Sequence, residues 1–487
     1  MAQTISRNID ENIQYFHKKL AVDRNFDIIY RVVNICGRKS CLYMVDGFAK
    51  DEIVQKVLQT IMAGSSEEMP DTAHELSKRM IPYGEIGLAK DADTAVKQLL
   101  MGITILFVDG YDQAITIDCR TYPIRGVEEP DKDRVLRGSR DGFVETLVFN
   151  TALIRRRIRD PQLIHEIMQV GSSSSTDIAI CYMQDRVDQE LLDTIKTRMK
   201  NLKVDALTMN QESLAECIFP HKWYNPFPKF KYSERPDTAA ACILEGSIVI
   251  MVDNSPAAMI LPSSIFDIIE EANDYYFPPI TGTYLRFSRM LAFLLAVFLT
   301  PLFLLLVNHP ELLPDHLKFI LPKDPVNVAF IWQFLILEFA VDGLKLAAVN
   351  TPNMLTTPLS VIAGLIIGDF AASSGWFNPE CMLYMAFVVL ANYTQTSMEL
   401  SYALKFMRLI LLILTQIFGV WGFIAGTILV IAAIVGNRTI AGKNYLYPLV
   451  PFNGKEVLRR FFRVRIPHSW ESEEGMKGAS DKKQNSL

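Results

Sequence analysis

The sequence predicts an α/β soluble head of two small subdomains followed by a polytopic α-helical membrane domain. Three observations carry that fold class. Residues 290–307 (MLAFLLAVFLTPLFLLLV) contain no charge, and at about 1.5 Å per residue such a helix is roughly 27 Å long, enough for a bilayer core. Comparable apolar runs follow at 355–370 and 381–391, and 406–435 carries only Arg408. Water cannot satisfy a backbone inside lipid, so these runs must be helical. The second observation is asymmetry of charge, ordinary through 1–285 and sparse through 286–440. The third is a strand–turn–helix pattern that recurs in the first half.

In the head, residues 5–20 read as an amphipathic helix. Residues 40–45, then Asp46-Gly47, then 49–62 read strand, turn, helix, and 67–97 reads as mostly helix broken at Pro82 and Gly84. Residues 103–108 and 114–117 flank Asp109-Gly110 as a hairpin. CLYMVDGFAKDEIVQKVLQTI, from Cys41, resembles IAICYMQDRVDQELLDTIKTRM, from Ile178, and the hairpin resembles SIVIMVDNSPAAMI, from Ser247. Each pair places an apolar strand before an acidic turn, which predicts a duplication. The expected divisions are 1–30 (helix), 31–134 and 175–285 (α/β subdomains), 135–174 (basic helical connector), 286–440 (membrane domain) and 441–487 (basic tail).

The connector crowds Arg137, Arg140, Arg155, Arg156, Arg157 and Arg159 around a helix predicted at 147–158. Two readings stand. The arginines form an assembly surface or anion contact, or they are a solvated face paired with Asp141, Glu145 and Asp160. GSSSST at 171–176 is a turn and lacks the Gly-Lys-Ser/Thr ending of a phosphate loop. FPHKWYNPFPKF at 219–230 reads as a wrapped loop or a subunit contact.

Composition excludes other classes. A net charge of −5 gives no reason for a nucleic-acid partner. Seven cysteines without framework spacing indicate a reducing compartment for the head, and CGRKSC lacks zinc or thioredoxin spacing. The seven histidines are isolated, so neither a catalytic triad nor a metal site is expected and no cofactor is implied. The polar N-terminus has no signal-peptide core.

In the membrane half, Arg286 and Arg289 precede the first span, and Arg438, Lys443 and further cations follow the last. The positive-inside rule then puts both ends in the cytoplasm and requires an even number of crossings, four or six. Glu338, Asp342 and Lys345 share one side of a segment at 327–349. They mark an ion path or an interfacial helix lying flat. Asp369 and Glu399 are further polar intrusions. The run 406–435 would reach roughly 45 Å, so it must tilt, extend past the lipid, or bend near Gly419 and Gly422.

Several long stretches resemble one family. LRGSRDGFVETLVFNTALIRRRIRD, ERPDTAAACILEGSIVIMVDNSP, EANDYYFPP, LEFAVDGLKLAAVNTPNM, VIAGLIIGDFAASSG and SMELSYALKFMRLILLI, in that order, are similar to the A-subunit family of bacterial spore germination receptors. NTPNMLTTPLS and IGDFAA depart from the nutrient-receptor pattern toward the stage V sporulation protein AF type. The resemblance implies an inner spore membrane protein with head and tail cytoplasmic. It implies a homo-oligomeric ring, with a pentamer among the orders it suggests, that passes monovalent cations beside a partner membrane subunit. The pore candidates are then Glu338, Asp342, Lys345, Asp369 and Glu399. A non-conducting germination scaffold or signalling subunit is the alternative, and an enzyme is not expected.

Overall fold

The computed structural model describes residues 3–121, 138–219, 224–350, 373–440, 442 and 444–462. The chain divides into two compact units, Met1–His221 with Phe230–Pro262, and Lys222–Lys229 with Ser263–Leu487.

The first unit runs through the same series of elements twice. The first pass is α1 (Ile9–Leu20), β1 (Ile28–Ile35), β2 (Arg38–Val45), α2 (Asp51–Met62), α3 (Ala73–Arg79), β3 (Ile86–Ala89), α4 (Ala92–Leu100), β4 (Thr104–Val108) and β5 (Ala114–Ile117). The second is α5 (Leu147–Arg157), β6 (Leu163–Val170), β7 (Thr176–Met183), α6 (Gln189–Lys200), α7 (Asn210–Ile218), β8 (Lys231–Ser233), α8 (Pro236–Leu244), β9 (Ile248–Val252) and β10 (Ala258–Leu261). The sheets have the matching orders β1-β2-β4-β5-β3 and β6-β7-β9-β10-β8. Their pairings are antiparallel, with Cys41 opposite Phe107 and Cys181 opposite Val249.

Helices cover both faces of the first sheet. Phe16 and Leu99 pack with Phe107 on one face, and Leu58 and Leu76 pack with Leu106 and Ile115 on the other. The central strands are therefore apolar on both faces, which is why they read as continuous runs. Asp91 and Asp188 accept the backbone N–H of Thr94 and Leu191 and so start α4 and α6. Two expectations change. Residues 67–97 contain strand β3 between two short helices, and the expected helical connector contains β6. Edge strand β3 is only four residues long and includes Gly87, too short to show alternation.

The second unit is helical: α9 (Ile265–Ile269), α10 (Asn273–Tyr276), α11 (Pro279–Asn308), α12 (Phe330–Asn350), α13 (Pro379–Tyr393), α14 (Met398–Val435) and α15 (Gly454–Phe461). Among the described residues, α11 and α14 are long and apolar enough to cross a membrane. Of the tilt, extension or bend left open for the last run, the structure has a bend, at Gly419, whose φ of 54° and ψ of −128° interrupt α14. Residues 411 and 426 would lie about 22 Å apart on a straight helix. Instead a Cβ on Gly426 would stand 2.4 Å from a Leu411 methyl, and one on Gly422 would stand 1.9 Å from the Leu414 carbonyl oxygen. α14 is thus a tight helical hairpin closed by small residues.

α12 and α13 run in the same direction. Gln333 exchanges hydrogen bonds of 2.9 and 2.8 Å with Asn378 at their first ends, and Lys345 lies against Tyr393 at their last. The 219–230 loop proves to be partly a component of this unit. Asn225 donates to the Ala433 carbonyl at 3.1 Å, and buried Tyr445 donates to the Pro228 carbonyl at 2.7 Å.

Candidate functional site

A group of charged side chains lies among the apolar helices of the second unit. Glu338 and Asp342 are one turn apart on α12. Lys405 and Arg408 sit on the same side of the first arm of α14. Arg408 is fully buried, and its guanidinium meets Glu338 Oε1 at 2.6 Å through Nε and 2.5 Å through Nη2. It also donates to the carbonyl of Ala296 on α11. Pro301 lies within α11 and has no N–H to offer the preceding turn, so this stretch of the helix already departs from full internal bonding. Lys405 pairs with Asp342, lies 3.5 Å from Glu338 Oε2 and donates to the Glu338 carbonyl at 3.4 Å. Phe303, Phe334 and Leu412 belong to the apolar packing of the same helices.

Lys345, one turn beyond Asp342, takes a different environment. Its ammonium lies 5.1 Å from the Tyr393 ring centre and 5.5 Å from that of Tyr402. Two helices, α12 and α14, therefore bring together three cations and two carboxylates. Glu399 is exposed in the first turn of α14, away from these pairs in sequence by more than a helical turn. Asp369 lies outside the described residues. Sequence reasoning missed Lys405 and noted Arg408 only as an isolated charge. Their i, i+3 spacing at the head of the longest apolar run was the available signal, because, like the i, i+4 spacing of Glu338 and Asp342, it puts two charges on one helical side.

A second ionic group gathers at the start of α11. Arg289 meets Asp274 at 2.7 Å and Glu271 at 2.8 Å, and Arg286 meets Glu270 at 2.5 Å. Arg460 of α15 reaches Asp267 at 2.5 Å and Glu270 at 3.0 Å. The cations that flank the first span are thus tied to acids of α10 and the chain before it, and Arg460 adds the α9 acid Asp267.

The arginines of 135–160 disperse. Arg155 is buried in the head, with Nε 2.7 Å from Asp27 Oδ2 and Nη2 3.1 Å from Oδ1. Burial raises the Asp27 carboxyl, but Arg155 and the backbone hold it below its ordinary value. His165 is buried beside them with Nδ1 3.0 Å from Cys181 Sγ, and burial pushes its imidazole down to about 3. Arg157 holds Asp141 at 2.6 Å. Arg140, Arg156 and Arg159 are exposed, and Arg137 lies outside the described residues. Among the described residues, no group of three His, Cys, Asp or Glu side chains could hold a metal ion.

Comparison with known proteins sets these features in a family. Residues 14–474 match the model of the Bacillus/Clostridium GerA spore germination protein. The chain is 35% identical over 464 residues to Stage V sporulation protein AF of Bacillus subtilis, covering 95% of this chain and 94% of that protein. It is 26% identical over 493 residues to Spore germination protein KA of the same organism, covering 98% and 90%. The crystal structure of the N-terminal domain of the A subunit of the Bacillus megaterium spore germinant receptor GerK3 covers 54% of this chain and 97% of that chain, at 22% identity and a TM-score of 0.41. The match along nearly the whole length establishes that this chain belongs to the GerA family of spore germination proteins.

Proposed function

We propose that the chain is an oligomeric membrane subunit of the germination apparatus that forms or supports a cation path during germination. By family it is a spore germination protein and not an enzyme. The observation that carries the ionic reading is the charge cluster of Glu338, Asp342, Lys345, Lys405 and Arg408 among apolar helices. Each ionised side chain at the centre of a bilayer costs about 2.5–3.5 kcal/mol on insertion scales. A simple anchor gains nothing from five of them. Asp342 and Lys345 are only half-buried, so a neighbouring copy would complete a polar seam at this edge. In a closed ring Asp369 would recur once per subunit and concentrate cations.

The proposed setting is the inner membrane of the spore, with an even number of crossings, four or six. Head and tail face the cytoplasm, a placement supported by the cations that flank the spans. Arg140, Arg156 and Arg159 are proposed contacts to a second copy or to a partner membrane subunit. The alternative, a non-conducting scaffold or signalling subunit, draws on one observation: Glu338 and Asp342 already have cationic partners within their own chain.

Full-length protein reconstituted in planar bilayers tests the proposal. At matched oligomer content the unaltered chain should pass cations, and Asp342→Asn and Asp369→Asn should each lower cation preference. Silent bilayers containing assembled oligomers, with and without co-purified membrane partners, would leave the scaffold reading.

A further inference from the structure

Lys345 differs from the other charges of the membrane unit. Glu338 and Asp342 are taken by Arg408 and Lys405. Among the described residues Lys345 has no carboxylate within ion-pairing distance. Its ammonium rests against the rings of Tyr393, at the end of α13, and Tyr402, in the second turn of α14. A ring face attracts a cation within about 6 Å of its centre, and several rings together select ammonium-type ions. Tyr393 is 60% exposed, so the pair of rings opens outward. Long lysine stems can place their charge some distance from the backbone and can also withdraw it.

We propose that Tyr393 and Tyr402 form a binding site for a monovalent ammonium-type cation, with Lys345 as its tethered occupant. While the lysine head is in place, free cations are excluded from the seam between α12, α13 and α14. The binding site stands on the geometry alone, whereas its role as a plug rests on the cation-path reading above. The two rings supply the direct contact, the Asp342 and Glu338 carboxylates add electrostatic attraction from beyond ion-pairing distance, and the surplus cation of the cluster marks the place where the fold accepts one.

The test measures binding of radiolabelled tetramethylammonium to the full-length protein in detergent. Lys345→Ala vacates the rings and should bind saturably, at least tenfold tighter than the unaltered chain. Lys345→Arg keeps a tethered cation and should stay at the unaltered level, as should Lys345→Ala combined with Tyr402→Leu. If Lys345→Ala does not fold, Lys345→Met removes the charge while keeping most of the stem and should show the same gain. A correctly assembled charge-removed variant that binds no tighter than the unaltered chain overturns the site, and so does binding that survives Tyr402→Leu. In bilayers the same charge-removed variants should raise cation current severalfold, with tetramethylammonium blocking it. Saturable binding with no current from any variant would reject the cation path while retaining the site.

Discussion

Three consecutive arginines, Arg155, Arg156 and Arg157, leave α5 in three directions because a helix turns about 100° per residue. The first enters the head core, the second faces solvent and the third holds Asp141. A cluster in sequence is therefore not a patch in space. Beside Arg155, His165 makes a prediction about pH. Its ordinary value is 6.5 and burial takes it to about 3 in the folded head. Between those values the unfolded chain binds a proton that the folded chain refuses. The stabilisation is thus fully present above pH 6.5 and drains away as pH falls toward 3, at up to about 1.4 kcal/mol per pH unit. Stability measured from pH 7 to 4 should fall more steeply for the unaltered chain than for His165→Gln. Equal slopes would show that this imidazole does not contribute.

At the scale of elements, α14 is decided by its glycines. Gly419 reverses the chain, and Gly422 and Gly426 let the second arm lie against the first. Alanine normally favours a helix over glycine by about 0.5–1 kcal/mol. At Gly422 the added methyl would meet the Leu414 carbonyl, so Gly422→Ala should open the hairpin and lower the melting temperature in detergent. Gly343 on α12 has open space where its Cβ would be. Gly343→Ala should therefore be neutral or slightly stabilising in the same measurement. A Gly422→Ala protein as stable as Gly343→Ala would mean that the two arms do not pack closely. The length of the apolar run left tilt, extension past the lipid or a bend near Gly419 and Gly422 open, and only the structure chose the bend. Strand β3 was not legible in the sequence, because its pairing with β5 is a non-local event that four residues cannot announce.

For the whole molecule, the Glu338–Arg408 pair links α12, α14 and the Ala296 carbonyl of α11. Removing one partner strands the other in an apolar bundle. Glu338→Gln should destabilise the membrane unit by about 3–5 kcal/mol, and Glu338→Leu with Arg408→Leu should recover much of that loss. Thermal unfolding of the full-length protein in detergent reads both. If the single variant costs no more than the double, the pair is not an organising contact. The same comparison bears on function. A double variant that is stable yet loses its current assigns the charges to ion passage, whereas one that keeps both stability and current leaves them a packing role.

The sequence by itself determined the family, the order of a charged α/β head before a hydrophobic half, and the repeat within the head. Those properties are local or periodic: runs without charge, apolar strands before acidic turns, and long ordered motifs. It also placed Glu338, Asp342 and Lys345 on one side of α12, since that follows from helical spacing. Only the tertiary structure decided their partners. Lys405 lies 63 residues beyond Asp342, and Tyr402 lies 57 beyond Lys345, distances at which spacing carries no information. Convergence of α12, α13 and the first arm of α14 brings those residues together, and burial then makes each charge find whatever counter-charge or ring the fold places beside it.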